Sequence, residues 1–235
     1  MDRYIITTDN TADLPEEYIE KIQLQLMSLA YILDGVTYGE ERSLPSKEFY
    51  EKMRGGSMPT TSQVNPQQAR EKLLQFLEVN KNIIHIAFSS GLSGTRDSVA
   101  LAAREIMEER PDCRIAVIDS LCASLGEGLL VHKALECREK GMSFDETVDW
   151  LENNKLHVCH NFTVNDQFHL HRGGRVSKVT PVVGMALGIK PLLHVDDAGH
   201  LINVGKTRGR KAALTWLVDK MGEKIGNNVN DAVYI

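Results

Sequence analysis

The sequence predicts an α/β architecture whose first part is a mainly parallel sheet covered by helices, and three observations carry that expectation. Strand-like and helix-like segments alternate along the chain. The strand-like segments are continuous apolar runs, as strands buried on both faces read. The central stretch also spells strand, loop, helix, strand, loop, helix: Asn82–Phe88 (NIIHIAF), the loop SSGLSGT, a helix over Thr95–Arg110, then Cys113–Ile118 (CRIAVI) and a helix over Ala123–Lys140. A parallel pair needs a crossover of that kind.

The remaining elements follow in order. Arg3–Thr8 (RYIITT) reads as a short strand ending at Asp9, with a helix beginning near Pro15, a favourable first-turn residue. Leu24–Leu33 is an apolar run, and Asp34-Gly35 is a hairpin turn before Val36–Tyr38. Helical periodicity covers Pro45–Arg54, Gly55–Gln63 is a polar loop, and Pro66–Val79 is an amphipathic helix. Ser143–Asn154 is a helix capped by Ser143 with Glu146 three residues on. Beyond residue 156 the texture changes. His157–Val164 reads as a strand, Val182–Leu187 as helical, and Pro191–Val195 and Leu201–Val204 as strands about a turn at Asp196–Gly199. A long helix runs from about Gly209 to Ile225, and Asp231–Ile235 (DAVYI) resembles the start of a buried strand. The expected division is a first α/β domain over 1–160 and a second α/β domain over 161–235, cut short at its C-terminus.

Composition excludes several classes. Apolar residues make up 42% and charged residues 25% of the 235, which is globular rather than disordered. The net charge of −5 provides no broad basic surface, so no nucleic-acid partner is expected. No run approaches the length of a membrane span, and the N-terminus lacks a signal-peptide layout, so a cytoplasmic protein is expected. Cys113, Cys122, Cys137 and Cys159 form no C-x-x-C pair; they read as small apolar side chains in or near the core rather than disulfides or a zinc site.

Two hydroxyl-rich segments stand out as chemistry. One is Pro59-Thr60-Thr61-Ser62-Gln63; the other is Ser89-Ser90-Gly91-Leu92-Ser93-Gly94-Thr95, at the carboxyl end of an expected strand and the start of a helix. Open parallel sheets bind ligands at that edge, where helix N-termini present N–H groups and glycines admit a close approach. Such a site suits one small anionic group. The plainer reading is that Ser and Thr are preferred N-caps and that Ser-Gly turns are commonplace. Neither a P-loop nor a G-x-G-x-x-G fingerprint occurs, and no G-x-S-x-G elbow proposes a serine hydrolase. His85 reads as a core histidine. His157 and His160 flank Cys159, and His169 and His171 would share a face on a strand, but no carboxylate or thiolate cluster joins them, so no metal is expected. Arg172-Gly173-Gly174-Arg175 and Lys206–Lys211 are basic; the latter puts four cations in six residues. Such runs are usually solvated faces, yet in an acidic protein they can steer an acidic partner or a phosphate.

Taken in order, TDNTADLP, PTTSQ, SSGLSGT, DS followed by S-x-G-x-G, HRGGRVS, GIKPLL and K-x-RGRKAAL resemble the DegV family across the whole chain. The resemblance implies a carrier that holds a long-chain fatty acid in an interdomain tunnel and presents its carboxylate to a separate fatty acid kinase. It implies no catalysis and no cofactor of its own, a monomer, and at most transient contact with a membrane surface. Carried over by motif, Thr61 and Ser93 are the carboxylate contacts, with Ser62, Ser90 and Gly94 beside them. Arg175, Lys206 and Arg208 are the candidates for kinase or acyl-phosphate contact. Burial of a fatty tail at about 0.8 kcal/mol per CH₂ gives on the order of 10 kcal/mol gross, so the polar groups serve orientation more than affinity. Three departures qualify the match: DNTADLP for DSTADLP, His169 where relatives carry an aromatic residue, and no counterpart of the family's HxGPG loop. The competing readings are a Ser-dependent esterase, a phosphotransferase of the dihydroxyacetone-kinase type, and a regulatory lipid sensor.

Overall fold

The computed structural model describes residues 4–165, 168–176, 188–226 and 233–235, with the backbone alone at 168 and 169. Its centre is a four-stranded parallel sheet in the order β2-β1-β6-β7, made of β1 (Ile5–Asp9), β2 (Gln25–Met27), β6 (Asn82–Ala87) and β7 (Arg114–Asp119). β6 alternates its side chains between two cores. Ile84 and Ile86 pack with Tyr4, Ile118, Leu130 and Leu151 under α1 (Glu16–Ile22), α5 (Leu125–Glu139) and α6 (Phe144–Asn154). Ile83 packs on the other face with Leu73, Phe76, Val99 and Ile106, from α3 (Pro66–Val79) and α4 (Thr95–Glu109). Helices on both faces explain why these strands read as unbroken apolar runs.

Local chemistry sets the boundaries. Ser143 and Glu146 form a reciprocal capping box on α6, and Asn65 and Gln68 form another on α3. Asp34 and Gly35 both have positive φ, 52° and 77°, as the hairpin between β3 (Ala30–Leu33) and β4 (Val36–Tyr38) requires. Pro15 stands just before α1 rather than in its first turn.

Several expectations needed correction. The apolar run Leu24–Leu33 is two strands in different sheets: β2 joins the parallel sheet, and β3 lies between β4 and β5 (Thr60–Ser62) in an antiparallel one. The polar stretch Gly55–Gln63 therefore holds a strand, whose three side chains are all exposed. Backbone pairing with β3 makes it a strand, and no apolar pattern announces that. His157–Val164 contributes only β8 (Asn161–Phe162), after a short 3₁₀ turn. In the third sheet, β9 (Ile189–Val195) lies between β8 and β10, and β10 runs from Leu201 to Arg208, past the expected end at Val204. His169 and His171 fall in the short helix α7 (Phe168–Arg172), not on a strand. Cys113, Cys122 and Cys137 are buried as expected, but Cys159 is exposed. The helix expected at Val182–Leu187 lies outside the described residues, as do Asp231 and Ala232; Val233–Ile235 is not a strand. Tyr234 instead packs against the first core and the ring of His132. α2 (Ser46–Arg54) and α8 (Arg210–Ile225) complete the chain. Among the described residues no helix is long and apolar enough to cross a membrane.

Candidate functional site

The loops that leave the parallel sheet at its carboxyl edge converge on the segment after β6. β1 and β7 each end in an aspartate that grips this segment: Asp9 Oδ2 accepts the Phe88 N–H at 2.8 Å, and Asp119 Oδ1 accepts the Ser90 N–H at 3.2 Å. Ser89 N–H donates to the Cys122 carbonyl at 3.0 Å. The far side is braced by the turn between β9 and β10. Ser89 Oγ donates to the Gly199 carbonyl at 2.9 Å, and a Cβ on Gly91 would lie 2.7 Å from the Ala198 carbonyl oxygen. Arg175 Nε donates to the Leu92 carbonyl at 3.2 Å. Leu92, Val176 and Leu201 form a small apolar cluster that packs the loop against this second half of the chain.

A cavity of about 2000 Å³ opens at this junction, larger than the roughly 300–1,000 Å³ typical of small-molecule pockets. Its polar lining includes Thr60, Thr61, Ser62, Gln63, Ser93 and Arg175. Apolar walls come from Tyr31, Met53, Met58, Leu129, Phe162 and Leu170, with Leu214, Leu217, Val218 and Met221 presented at helical spacing by α8. The cavity thus brings hydroxyls from two segments together with apolar side chains drawn from both halves of the chain.

Of the residues expected in the site, Thr61, Ser62, Ser93 and Arg175 line this cavity. Ser90 and Gly94 do not line it. Gly94 instead precedes α4, where a Cβ would overlap the Gln63 side chain, so glycine lets the two hydroxyl-rich segments close on one another. Lys206 and Arg208 line a separate, smaller groove with Lys211 and Trp216. Two residues that sequence reasoning passed over now matter. Thr95, fully buried, accepts the Val64 N–H at 3.2 Å and lies 3.0 Å from Ser93 Oγ, so it joins the segments. Its place at the start of a helix in S-G-T was a signal for capping, not for bridging.

The second is Glu127. This carboxyl is fully buried, with Oε1 2.9 Å from Thr8 Oγ1 and Oε2 2.9 Å from Thr11 Oγ1. Burial, reinforced by the nearby negative charge of Asp9, pushes its pKa well above the ordinary carboxyl value. A glutamate inside the apolar run LGEGLLV was the available signal. Asp13, which lines the cavity, also has its pKa raised by burial, against a hydrogen bond from Ser124 that opposes the shift. His160 lines the cavity as well, its pKa pulled down by burial and its ring packed against Gly126, where a Cβ would overlap Nε2. His85 is the core histidine expected: Nδ1 lies 2.9 Å from Thr7 Oγ1 and Nε2 3.3 Å from Asp9 Oδ1. Among the described residues no cluster of His, Cys, Asp or Glu could hold a metal ion.

Comparison with known proteins agrees with this architecture. The family model described as an uncharacterised protein of the DegV family matches residues 3–235. A DegV domain-containing protein of Clostridium perfringens is 39% identical over all of this chain and 81% of its own length. Among solved structures, the DegV fatty acid binding protein of Bacillus subtilis is 31% identical, with a TM-score of 0.81 over 95% of this chain and 78% of its own. A DegV family protein from Thermus thermophilus, described by its fatty acid binding, is 29% identical, with a TM-score of 0.82 over 96% of this chain and 79% of its own.

Proposed function

The chain belongs to the DegV family, and from that premise we propose that it binds one long-chain fatty acid, with the tail along the apolar walls of the cavity and the carboxylate at Thr61 and Ser93. One observation carries the reading: hydroxyls from two converging segments and apolar side chains from several elements line the same cavity of about 2000 Å³. An ionised carboxylate is acceptor-only and needs such donors. The tail supplies most of the affinity, and the hydroxyls select the head group. Solved relatives described as fatty acid binding support the same reading.

The direct test is mass spectrometry of the denatured, purified protein, which should release fatty acid, together with calorimetric titration of oleate into delipidated protein. Finding no copurified lipid and no uptake of oleate would count decisively against it. Paired Thr61→Ala and Ser93→Ala substitutions should weaken oleate by roughly 10- to 100-fold and oleyl alcohol far less, since hydrogen bonds to charged groups are the stronger ones. Equal losses would sink the head-group assignment.

The finer proposal is that the carrier contributes no ATP chemistry and offers the bound carboxylate to a separate kinase subunit. The basic face supports it: no ion-pair partner is found among the described residues for Lys206, Arg208 or Lys211, and all three line the separate groove. Surface cations of this kind raise the on-rate for an acidic partner and lose that effect in salt. Lys206→Ala with Arg208→Ala should slow phosphorylation by an added fatty acid kinase while leaving oleate affinity intact. Unchanged phosphorylation at low salt would refute this role. Turnover of simple esters abolished by Ser93→Ala would instead favour an esterase.

A further inference from the structure

Two hydroxyls meet where Ser93 lines the cavity, and burial decides which of them donates. Ser93 Oγ accepts the Thr95 N–H at 3.2 Å and lies 3.0 Å from Thr95 Oγ1. Thr95 Oγ1 accepts the Val64 N–H at 3.2 Å. Each hydroxyl has one hydrogen and two lone pairs. If Ser93 donated to Thr95, the Thr95 oxygen would take two incoming hydrogens. Its own hydrogen would then lack any acceptor among the described residues, at a side chain with 0% exposure. Folded proteins almost always avoid a buried donor of that kind.

The opposite direction leaves nothing unpaired. Thr95 donates to Ser93, the Ser93 oxygen accepts from both Thr95 N and Thr95 Oγ1, and the Ser93 hydrogen turns outward. Ser93 is only half-buried and lines the cavity, so that hydrogen meets solvent or ligand. We infer that Thr95 is a positioning residue that holds Ser93 as a hydrogen-bond donor toward an anionic head group. The same oxygen holds Val64, and with it the Thr61-Ser62-Gln63 segment just before it, against the start of α4. A Ser93 with both lone pairs occupied has only a hydrogen to offer. It therefore favours a ligand that purely accepts, an ionised carboxylate, over one that must also donate.

This inference rests on the head-group reading above and deepens it. The experiment titrates oleate and oleyl alcohol into the delipidated full chain in wild-type, Thr95→Val and Thr95→Ser forms. Thr95→Val keeps the shape and removes the donor; it should lose about ten-fold in oleate affinity, since the oriented bond is to a charged group, and change oleyl alcohol by no more than about two-fold. Thr95→Ser should restore most of the oleate affinity. Should Thr95→Val not fold, Thr95→Cys carries the test, because a thiol is a weak donor and should fall between serine and valine. Equal oleate affinity in wild type and Thr95→Val, or a Thr95→Ser chain as weak as Thr95→Val, overturns the positioning role while leaving lipid binding intact. A wild-type chain that takes up neither ligand overturns the lipid reading and this inference together.

Discussion

Replacing Glu127 by glutamine should stabilise the protein, and by an amount that grows with pH. Thr8 Oγ1 lies 2.7 Å from the Ile86 carbonyl and 2.9 Å from Glu127 Oε1, yet it has one hydrogen. The carbonyl can only accept. Both contacts are therefore satisfied when Glu127 carries its own proton and donates it to Thr8. Burial and the neighbouring Asp9 charge raise the Glu127 pKa in the folded state, in agreement with that assignment. In the unfolded chain the group ionises at the ordinary value of 4.5. The native state thus holds a proton that the unfolded state has released. The contribution is complete below the unfolded value and is lost as pH rises toward and through the folded one. Across that window the slope is up to about 1.4 kcal/mol per pH unit for one proton.

Glutamine keeps the shape, donates to Thr8 through its amide and accepts from Thr11, with nothing to titrate. Glu127→Gln and wild type should therefore be within about 1 kcal/mol near pH 4.5 and diverge as pH rises. At roughly 2–4 °C per kcal/mol for a chain of this size, each unit of pH in the window separates the melting temperatures by up to about 3–6 °C. Circular-dichroism melts of both proteins at pH 5, 6, 7 and 8 measure the difference, in which titrating groups remote from Glu127 cancel. Parallel stability curves for the two proteins would refute the protonated-glutamate argument outright.

Other perturbations have equally definite outcomes. Gly199→Ala places a Cβ against Ser89 Oγ at a residue with φ of 76°, so it should cost about 1–3 kcal/mol in urea unfolding and weaken oleate binding through the Ser89–Leu92 loop. Tyr4→Phe removes the 2.6 Å contact with the buried Thr147 hydroxyl and should cost about 1–2 kcal/mol, seen as a lower denaturation midpoint with unchanged slope. Gly126→Ala must displace the His160 ring and should alter ligand affinity more than stability, which paired titration and melting would separate.

What the sequence disclosed depended on whether side-chain pattern or backbone pairing makes an element. The βαβ core, the Asp34-Gly35 hairpin and the Ser143 capping box were legible because apolar period, turn chemistry and cap residues each have a local physical cause. β5 was not, since its Thr60–Ser62 side chains are all exposed and only its register against β3 defines it. The split of Leu24–Leu33 was hidden for a related reason: an apolar run does not tell which sheet each end joins. Within the site, hydroxyl composition pointed to Thr61, Ser62 and Ser93. It could not single out Thr95, whose part depends on which way one hydrogen points. Nor could it set Lys206 and Arg208 in their own groove, which follows from β10 running on to Arg208.

The turn between β9 and β10 has one more consequence. Ser89 is hydrogen-bonded to Gly199, Gly91 lies close against Ala198, and Arg175 is hydrogen-bonded to Leu92, so the loop before α4 is fastened to the part of the chain whose Arg175, Val195 and Leu201 line the same cavity. Drawing those two parts of the chain apart to widen the cavity must first release these fastenings. Amide exchange at Gly91 and Ser93 should accordingly slow together when the cavity is filled.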